Sequence, residues 1–363
     1  MSPRTVDFEI AELPIPATLD SPGADDFIAT VAVHNAVEAA ALGTTEVGPT
    51  SAFMLANWND PYDPKRLFVA RVDGRIVARG YLNLPLEDGS VVAWCVAEVL
   101  PEFQGHGIGS ALMDRVENEA RSAGRTTLQS WAAHAPGDGE RLTPPTGFGS
   151  VPAGNREVQF LQERGYTLEQ IERYSRFELS GAEARIAELR DSAEQAAGSD
   201  YRYLEWIGDT PEQYQTVMGE LTARMATDAP SAGLEVDEEV WDAARIRARD
   251  ERLRAGGITP LWAVALHVPS DELVAMSALE LDADPTRAVN QADTLVRADH
   301  RGHRLGMLVK AGNLQQLRRH SPDSTVVITF NAEENRPMLQ VNEDLGFVPG
   351  GYFGEWKKVV SAS

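Results

Sequence analysis

The first half of the chain contains a strand pattern, a glycine-rich loop and a helix pattern in immediate succession. Apolar residues dominate positions 91–99 and predict a strand. After the loop, Leu112, Met113 and Val116 recur at the spacing of one helix face, with charged residues between them. Gly124 is placed to end that helix, and a β-rich run follows it.

The same succession recurs near the other end of the chain. A strand pattern ends at Val296, a second glycine-containing loop follows, and a helix pattern leads to a β-rich run at 325–330. Each copy closes on a glycine and an aromatic residue, at 165–166 and at 346–347. The repeated order indicates an internal duplication, and therefore two domains of one fold.

Ahead of each loop, the pattern predicts helices followed by a pair of strands. These are a helix at 25–42 with strands at 67–72 and 75–84, and helices at 211–227 and 238–255 with strands at 261–267 and 272–281. Residues 180–200 are rich in Ala, Glu and Arg and predict an exposed connecting helix and linker. We therefore expect an N-terminal domain at 1–180, a connecting segment at 181–199 and a C-terminal domain at 200–363.

Charge narrows the classes of partner. The chain has 33 basic and 55 acidic residues, which give a formal net charge of -22 at pH 7. Nucleic acids and anionic membranes are disfavoured as partners, because binding to phosphates needs basic patches. A cationic amine would be attracted to such a protein, although an acidic balance commonly serves solubility alone.

Cysteine content and the N-terminal segment point to the cytoplasm. Cys95 is the single cysteine, which excludes an intramolecular disulfide and a cysteine cluster for metal. Residues 1–20 lack the apolar region of a secretory signal, and no run is long enough to span a bilayer. We expect a cytoplasmic monomer or homodimer without a metal centre.

The two loops have the composition of anion sites. Glycine between a strand and a helix lets backbone N–H groups and the helix N-terminus approach a phosphate. A dinucleotide fingerprint is excluded in the first loop, because Ser110 stands where its third glycine is needed. The sequence also lacks a Gly-Lys-Ser/Thr phosphate loop, a Gly-x-Ser-x-Gly elbow and a His-Glu-x-x-His motif.

The loops resemble the signature of the GNAT superfamily of N-acetyltransferases, Gln/Arg-x-x-Gly-x-Gly/Ala after a strand. Gln104, Gly107 and Gly109 match it in full, whereas in the second loop Arg304 stands where the middle glycine is expected, between Arg301 and Gly306. Two fused copies resemble the architecture of mycothiol synthase. The resemblance implies an α/β fold of two tandem domains, each a mixed, mostly antiparallel central sheet flanked by helices. It also implies strands that splay apart at an acyl-CoA site.

The resemblance further implies acetyl-CoA as cosubstrate, with pantetheine against the strand and pyrophosphate on the loop. The residues expected to hold it are Val99, Gln104, Gly105, His106, Gly107, Ile108, Gly109 and Ser110 in the first half, and Val296, Arg301, Gly302, His303, Arg304, Leu305, Gly306, Asn331 and Asn335 in the second. The Arg304 side chain would either obstruct the pyrophosphate or swing out and add a charge to it. His106 and His303 are expected at solvent-exposed positions rather than in catalysis.

In the family, a neutral amine attacks the thioester directly, and this chemistry needs a base and often an acid for the departing thiolate. The family often supplies a tyrosine as that acid, and Leu161 and Asn342 occupy its places here. For the base, the hypothesis is the carboxylate pair Glu280 and Asp293 on neighbouring predicted strands, with Glu98 beside the first loop as another candidate.

The sequence is consistent with more than one function. The first is acetyl-CoA-dependent N-acetylation of a primary amine on a small molecule. The alternatives are a non-catalytic acetyl-CoA-binding or structural module, which the missing tyrosines permit, and acetylation of lysines on a protein partner. Which half is catalytic stays open at this point, as does the identity of the acceptor amine.

Overall fold

The computed structural model describes residues 6–87, 89–228, 230–237 and 239–361. They form two compact units. Unit 1 takes in the described residues of 1–172, 231–237 and 351–363, and unit 2 takes in those of 173–230 and 238–350.

The strands, in chain order, are β1 (Glu9–Leu13), β2 (Lys65–Val72), β3 (Arg75–Asn83), β4 (Val92–Val99), β5 (Thr127–His134), β6 (Arg141–Leu142), β7 (Val151–Pro152), β8 (Thr167–Glu178), β9 (Tyr201–Ile207), β10 (Ile258–His267), β11 (Glu272–Asp282), β12 (Val289–Val296), β13 (Val326–Ala332) and β14 (Val348–Val359). The helices are α1 (Ala24–Leu42), α2 (Ser51–Trp58), α3 (Ile108–Ser122), α4 (Arg156–Glu163), α5 (Glu183–Ala197), α6 (Gln215–Asp228), α7 (Ala243–Ala255), α8 (Leu305–His320) and α9 (Arg336–Leu345).

Unit 1 is built on a sheet in the order β1-β2-β3-β4-β5-β14. All its pairings are antiparallel except that of β4 with β5, which is parallel. Helix α3 packs on β3 and β4 through Leu112, Met113, Val116 and Ala120, the apolar face expected from the sequence. The mixed, mostly antiparallel sheet predicted for this half is therefore confirmed.

Unit 2 is built on a sheet in the order β8-β13-β12-β11-β10-β9, in which β12 and β13 pair in parallel as β4 and β5 do. Successive residues of β10 belong to different cores, because side chains alternate between the faces of a strand. Leu261 and Ala263 pack with α5 and α8, whereas Trp262 and Val264 pack with α6 and α7. The fold class expected from the duplication is thus found in both units.

The segment expected to be an exposed linker is helix α5, and it is part of a core. Ile186, Ala193 and Ala197 are buried and pack with residues of α8. Their stripe is narrow and mostly made of alanine, so the composition resembles that of a solvated helix. Only Ile186 is a large apolar residue among the three, which explains why the sequence pattern predicted an exposed helix.

The units also differ from the domain ranges 1–180 and 200–363. The sheet of unit 1 is completed by β14, which pairs with β5 from Tyr352 opposite His134 to Val359 opposite Thr127. Residues 231–237 belong to unit 1 as well, where the Gln129 side chain makes two hydrogen bonds to the main chain of Glu235. Among the described residues, no helix has the length and apolar character needed to cross a membrane.

Candidate functional site

In unit 1, strands β4 and β5 separate where the first loop begins. Their parallel pairing covers three residue pairs and ends at Trp94 opposite Gln129. Beyond that point β4 keeps β3 as its partner, and the N–H of Leu100 donates to the Val77 carbonyl. Since backbone groups alternate in direction along a strand, those of Val99 face the gap.

The gap opens into a cavity of about 330 Å³. Its walls are residues 96–99 of β4, residues 130–132 of β5, the N-terminal turn of α3 and one face of α4. The Val99 carbonyl at its edge accepts a hydrogen bond of 3.1 Å from Nε2 of Gln104. The splayed strands expected from the family resemblance are therefore present in unit 1.

The first glycine loop leads directly into the N-terminus of α3. Gly105 and Gly107 have φ angles of 79° and 84°, in the left-handed region where a side chain is strained. No side chain of the described residues caps α3, and its first turn contains no acidic residue. The amides of this turn are consequently available to an anion. Arg156 of α4 adds a positive charge here, and its Nη1 donates to Oε1 of Gln104 over 3.0 Å.

A cluster of charged side chains is buried beside the cavity. Glu98, which lines the cavity, is only 7% exposed and accepts hydrogen bonds from Nε of Arg79 and, over 2.8 Å, from Nδ1 of His34. Burial raises the pKa of Glu98, but the Arg79 and His34 charges outweigh it and lower that pKa to about 2. Burial raises the pKa of Glu38, whose carboxylate lies 3.6 Å from Nε2 of His34.

Glu98, His34 and Glu38 place their ligand atoms close enough together for a metal ion. The Arg79 guanidinium already supplies positive charge to Glu98, so the geometry is accounted for by ion pairing. His34 and Arg79 were not among the residues expected to be functional. His34 lies 64 positions from Glu98 in the sequence, and no local pattern connects the two.

Unit 2 repeats this arrangement up to its loop. The pairing of β12 with β13 ends at Gln291 opposite Thr329, and the Val296 carbonyl accepts a hydrogen bond of 3.3 Å from Nε of Arg301. Arg304 has a φ of 56°, close to the conformation of Gly107. Its side chain does not lie over the loop, because its Nη1 donates to Oγ of Ser192 in α5 over 2.8 Å.

Helix α5 runs antiparallel along α8 and covers its outer side. The Ser192–Arg304 hydrogen bond holds one end, and the Glu183–Arg318 ion pair, at 3.0 Å, holds the other. Met307 is buried in α8, whereas Ser110, which has the matching position in α3, is exposed and lines the cavity of unit 1.

Two asparagines expected to bind the cosubstrate in unit 2 make hydrogen bonds within the protein. Asn335 caps α9 by accepting a hydrogen bond from the Met338 N–H, and Asn331 accepts one of 2.7 Å from the Asn342 amide. His303 is exposed as expected, whereas His106 is half-buried. The cofactor roles of these residues stay predictions.

The carboxylates expected to act as base are brought together in unit 2. Glu280 accepts a hydrogen bond of 2.9 Å from Asn290, and Asp293 lies in a bulge of β12, where the register with β11 shifts. Burial raises the pKa of both carboxyl groups, and the Asp293 charge raises that of Glu280 further. Their catalytic role stays a prediction. Leu161 and Asn342 are both buried at the positions where the family often has tyrosine.

Comparisons with known proteins agree with this geometry. Residues 33–139, which include the first glycine loop, match the acetyltransferase (GNAT) family. No curated protein matches the chain in sequence. A tandem GNAT protein from the clavulanic acid biosynthesis pathway, solved without acetyl-CoA, is similar in structure, with a TM-score of 0.71 and 24% sequence identity. The similarity covers 98% of this chain and all of that one.

A GCN5-related N-acetyltransferase from Sphaerobacter thermophilus also has this fold. The TM-score is 0.60 at 14% identity, over 97% of this chain and 95% of that one. Together with the family match, these similarities agree with the two splayed sheets described above. Residues 33–139 thus match the acetyltransferase (GNAT) family, and the chain as a whole has the fold of a tandem GNAT protein.

Proposed function

We propose that unit 1 binds acetyl-CoA between β4 and β5 and transfers its acetyl group to a primary amine of a small molecule. The observation that carries this proposal is the cavity between the splayed strands, which opens beside the uncapped N-terminus of α3. The family match covers β4, β5 and α3, which form most of the cavity wall.

The residues of the cavity fit the chemical parts of acetyl-CoA. The amides of Gly109 and Ser110 and the guanidinium of Arg156 suit the pyrophosphate, because donors and positive charge converge at the helix N-terminus. The backbone groups of Val99 that face the gap suit the amides of pantetheine, which would pair with β4 as an additional strand. The thioester supplies an activated acetyl group.

Transfer requires the amine nitrogen to attack the thioester carbonyl, the C–S bond to break, and the amine to lose a proton. Glu98 stays ionised at neutral pH because its pKa is about 2, and it holds His34 by a short hydrogen bond. A carboxylate that accepts a hydrogen bond from one imidazole nitrogen fixes the tautomer and orientation of the ring, and leaves the other nitrogen as the acceptor. We therefore assign the acceptance of the proton to the Glu98–His34 pair.

A small amine as acceptor is supported by the net charge of -22, which attracts cations. The second candidate function, acetyl-CoA binding without turnover, is favoured by one observation: Leu161 and Asn342 replace the tyrosine that the family often uses as acid. The two candidates differ in whether free thiol is released when amines are added.

The first experiment is a calorimetric titration with acetyl-CoA, followed by detection of thiol release across a panel of primary amines. We expect one equivalent to bind and the variant Gly107→Trp to abolish binding. Gly124→Trp is the matched control, because Gly124 has a similar φ of 77°, also has open space around it, and lies at the far end of α3. Equal loss in both variants, or binding unchanged in both, would overturn the assignment. Binding without thiol release would favour the non-catalytic function.

A further inference from the structure

Three aromatic rings meet where the strands of unit 1 splay. Trp131, on β5, lines the cavity and lies 5.0 Å from the Tyr81 ring and 5.9 Å from the Trp94 ring, measured between centroids. Tyr81 is on β3, opposite Val96 of β4. The contact between Tyr81 and Trp131 therefore spans the strand that borders the gap.

These rings lie on the face of the sheet that is opposite to the glycine loop. Side chains alternate along β4, so Trp94 shares a face with Val96 and Glu98, whereas Val99 points towards Gly109 of α3. Trp58 of α2 contacts Tyr81 edge-on, at 5.5 Å, which places α2 on the face with the rings. A molecule bound against the rings would reach the gap from the side away from the phosphate site.

The aromatic side chains that contact one another in this row become more exposed to solvent towards the gap. Phe27 and Trp58 at its far end are 0% and 6% exposed, whereas Tyr81, Trp94 and Trp131 are half-buried. The Tyr81 hydroxyl makes no hydrogen bond to any residue the structure describes. Burial raises the pKa of Tyr81, so the phenol keeps its proton and remains a donor.

Two acids on the side of the rings, Glu98 and Asp63, are already ion-paired. Glu98 is held by Arg79 and His34, and Asp63 is paired with Lys65. A diamine or polyamine needs a carboxylate for its second ammonium group, and neither of these acids is free for one. A flat apolar body, by contrast, gains contact with half-buried aromatic faces.

We infer that Tyr81, Trp94 and Trp131 form the wall that binds the acceptor, and that the acceptor is a primary amine attached to a ring-bearing apolar group. This inference rests on the proposed function. Edge and face contacts with the aromatic rings of this wall favour a ring over a linear chain of equal carbon number by about tenfold.

The experiment compares the kcat/KM of primary arylalkylamines, linear alkylamines of equal carbon number, and linear diamines, with acetyl-CoA saturating. We expect the arylalkylamines to be preferred about tenfold. Trp94→Ala removes the preference without changing the acetyl-CoA Kd, and Trp94→Phe keeps most of it. Trp206→Ala is the control, because Trp206 is likewise half-buried in an aromatic stack but belongs to unit 2.

A preference for diamines, or equal rates for rings and chains, would overturn the inference while leaving acetyl transfer intact. If acetyl-CoA binds and no amine is acetylated, the proposed function fails instead. The wall is then tested by calorimetric binding of the same amines to the acetyl-CoA complex. Ring-bearing amines that bind no tighter than linear ones in that assay would also contradict the inference.

Discussion

Nη1 of Arg304 donates a hydrogen bond to Oγ of Ser192 over 2.8 Å, and thereby attaches the second loop to helix α5. Gly107 has the corresponding place in the first loop, with the same left-handed backbone and open space around it. The unit 1 loop is thus open to a ligand, whereas the unit 2 loop has a side chain at this place and a helix along its α8.

Arg304→Gly is expected to leave acetyl-CoA binding at one equivalent. The substitution relieves the positive φ, which costs a non-glycine residue about 1 kcal/mol, but it also removes the hydrogen bond to Ser192, so the stability should change little. Met307 remains buried in the first turn of α8, and α5 remains packed along that helix. Calorimetric stoichiometry checks this expectation. A second equivalent in the variant would show that the arginine alone closed the second loop.

Lys310→Met is expected to stabilise the protein near neutral pH. The Lys310 side chain is 1% exposed in α8, with its Nζ 5.6 Å from the centre of the Phe347 ring, and Met113 has the matching place in α3. Burial lowers the pKa of Lys310 from 10.5 to about 7. Between these values the unfolded chain holds a proton that the folded chain lacks. The free-energy cost of burying Lys310 is therefore complete below pH 7 and disappears towards pH 10.5.

The gain in unfolding free energy should be on the order of a few kcal/mol at pH 7 and should shrink as the pH rises. Urea unfolding of wild type and variant at several pH values measures it. Lys310→Arg is the comparison, because arginine keeps its charge and should destabilise throughout. A gain independent of pH would mean that packing, rather than desolvation, limits stability at this position.

His134 is expected to make unit 1 sensitive to acid. Both ring nitrogens are buried and without a hydrogen-bond partner among the described residues, and burial lowers the pKa of His134 from 6.5 to about 4. Above pH 6.5 His134 is neutral in both states and does not reduce the free energy of unfolding. As the pH falls towards 4, that free energy decreases, because the unfolded chain takes up the proton first. His134→Phe should remove about 2 kcal/mol of the difference between pH 7 and pH 5. A substitution at exposed His320 is the control, and an unchanged slope at His134 would contradict the explanation.

Glu280→Gln combined with Asp293→Asn is expected to leave acetyl transfer largely intact. Both carboxyl groups lie in unit 2, whereas the cavity between splayed strands is in unit 1. His34→Gln, by contrast, should reduce kcat by about 100-fold or more, because it removes the proposed proton acceptor. Thiol-release kinetics at saturating acetyl-CoA separate the two. Loss of turnover in the double variant alone would place catalysis in unit 2.

The sequence predicted those parts of the fold that local patterns determine. The helix face of Leu112, Met113 and Val116, the paired strands at 67–72 and 75–84 and the two glycine loops depend on neighbours in the chain, and the structure contains each of them. The family resemblance supplied the splayed strands, which no period in the sequence reveals.

The remaining features depend on contacts between distant residues. The His34–Glu98 pair joins positions 64 apart, so the sequence offered Glu98 only as another candidate base and gave no sign of its partner His34. The burial of α5 depends on one isoleucine and a few alanines. The aromatic wall combines residues of β3, β4 and β5, and only the order of strands in the sheet brings them together.

The pairing of β14 with β5 has a consequence for biosynthesis. Residues 352–359, which pair with β5, leave the ribosome after nearly all the rest of unit 1. The edge of β5 therefore stays unpaired while more than half of the chain is still being translated. An unpaired edge is a site for non-native strand pairing, and the wait lasts for the time needed to add those residues. The speed of translation and early access of a chaperone should therefore influence the yield of folded unit 1 more than that of unit 2.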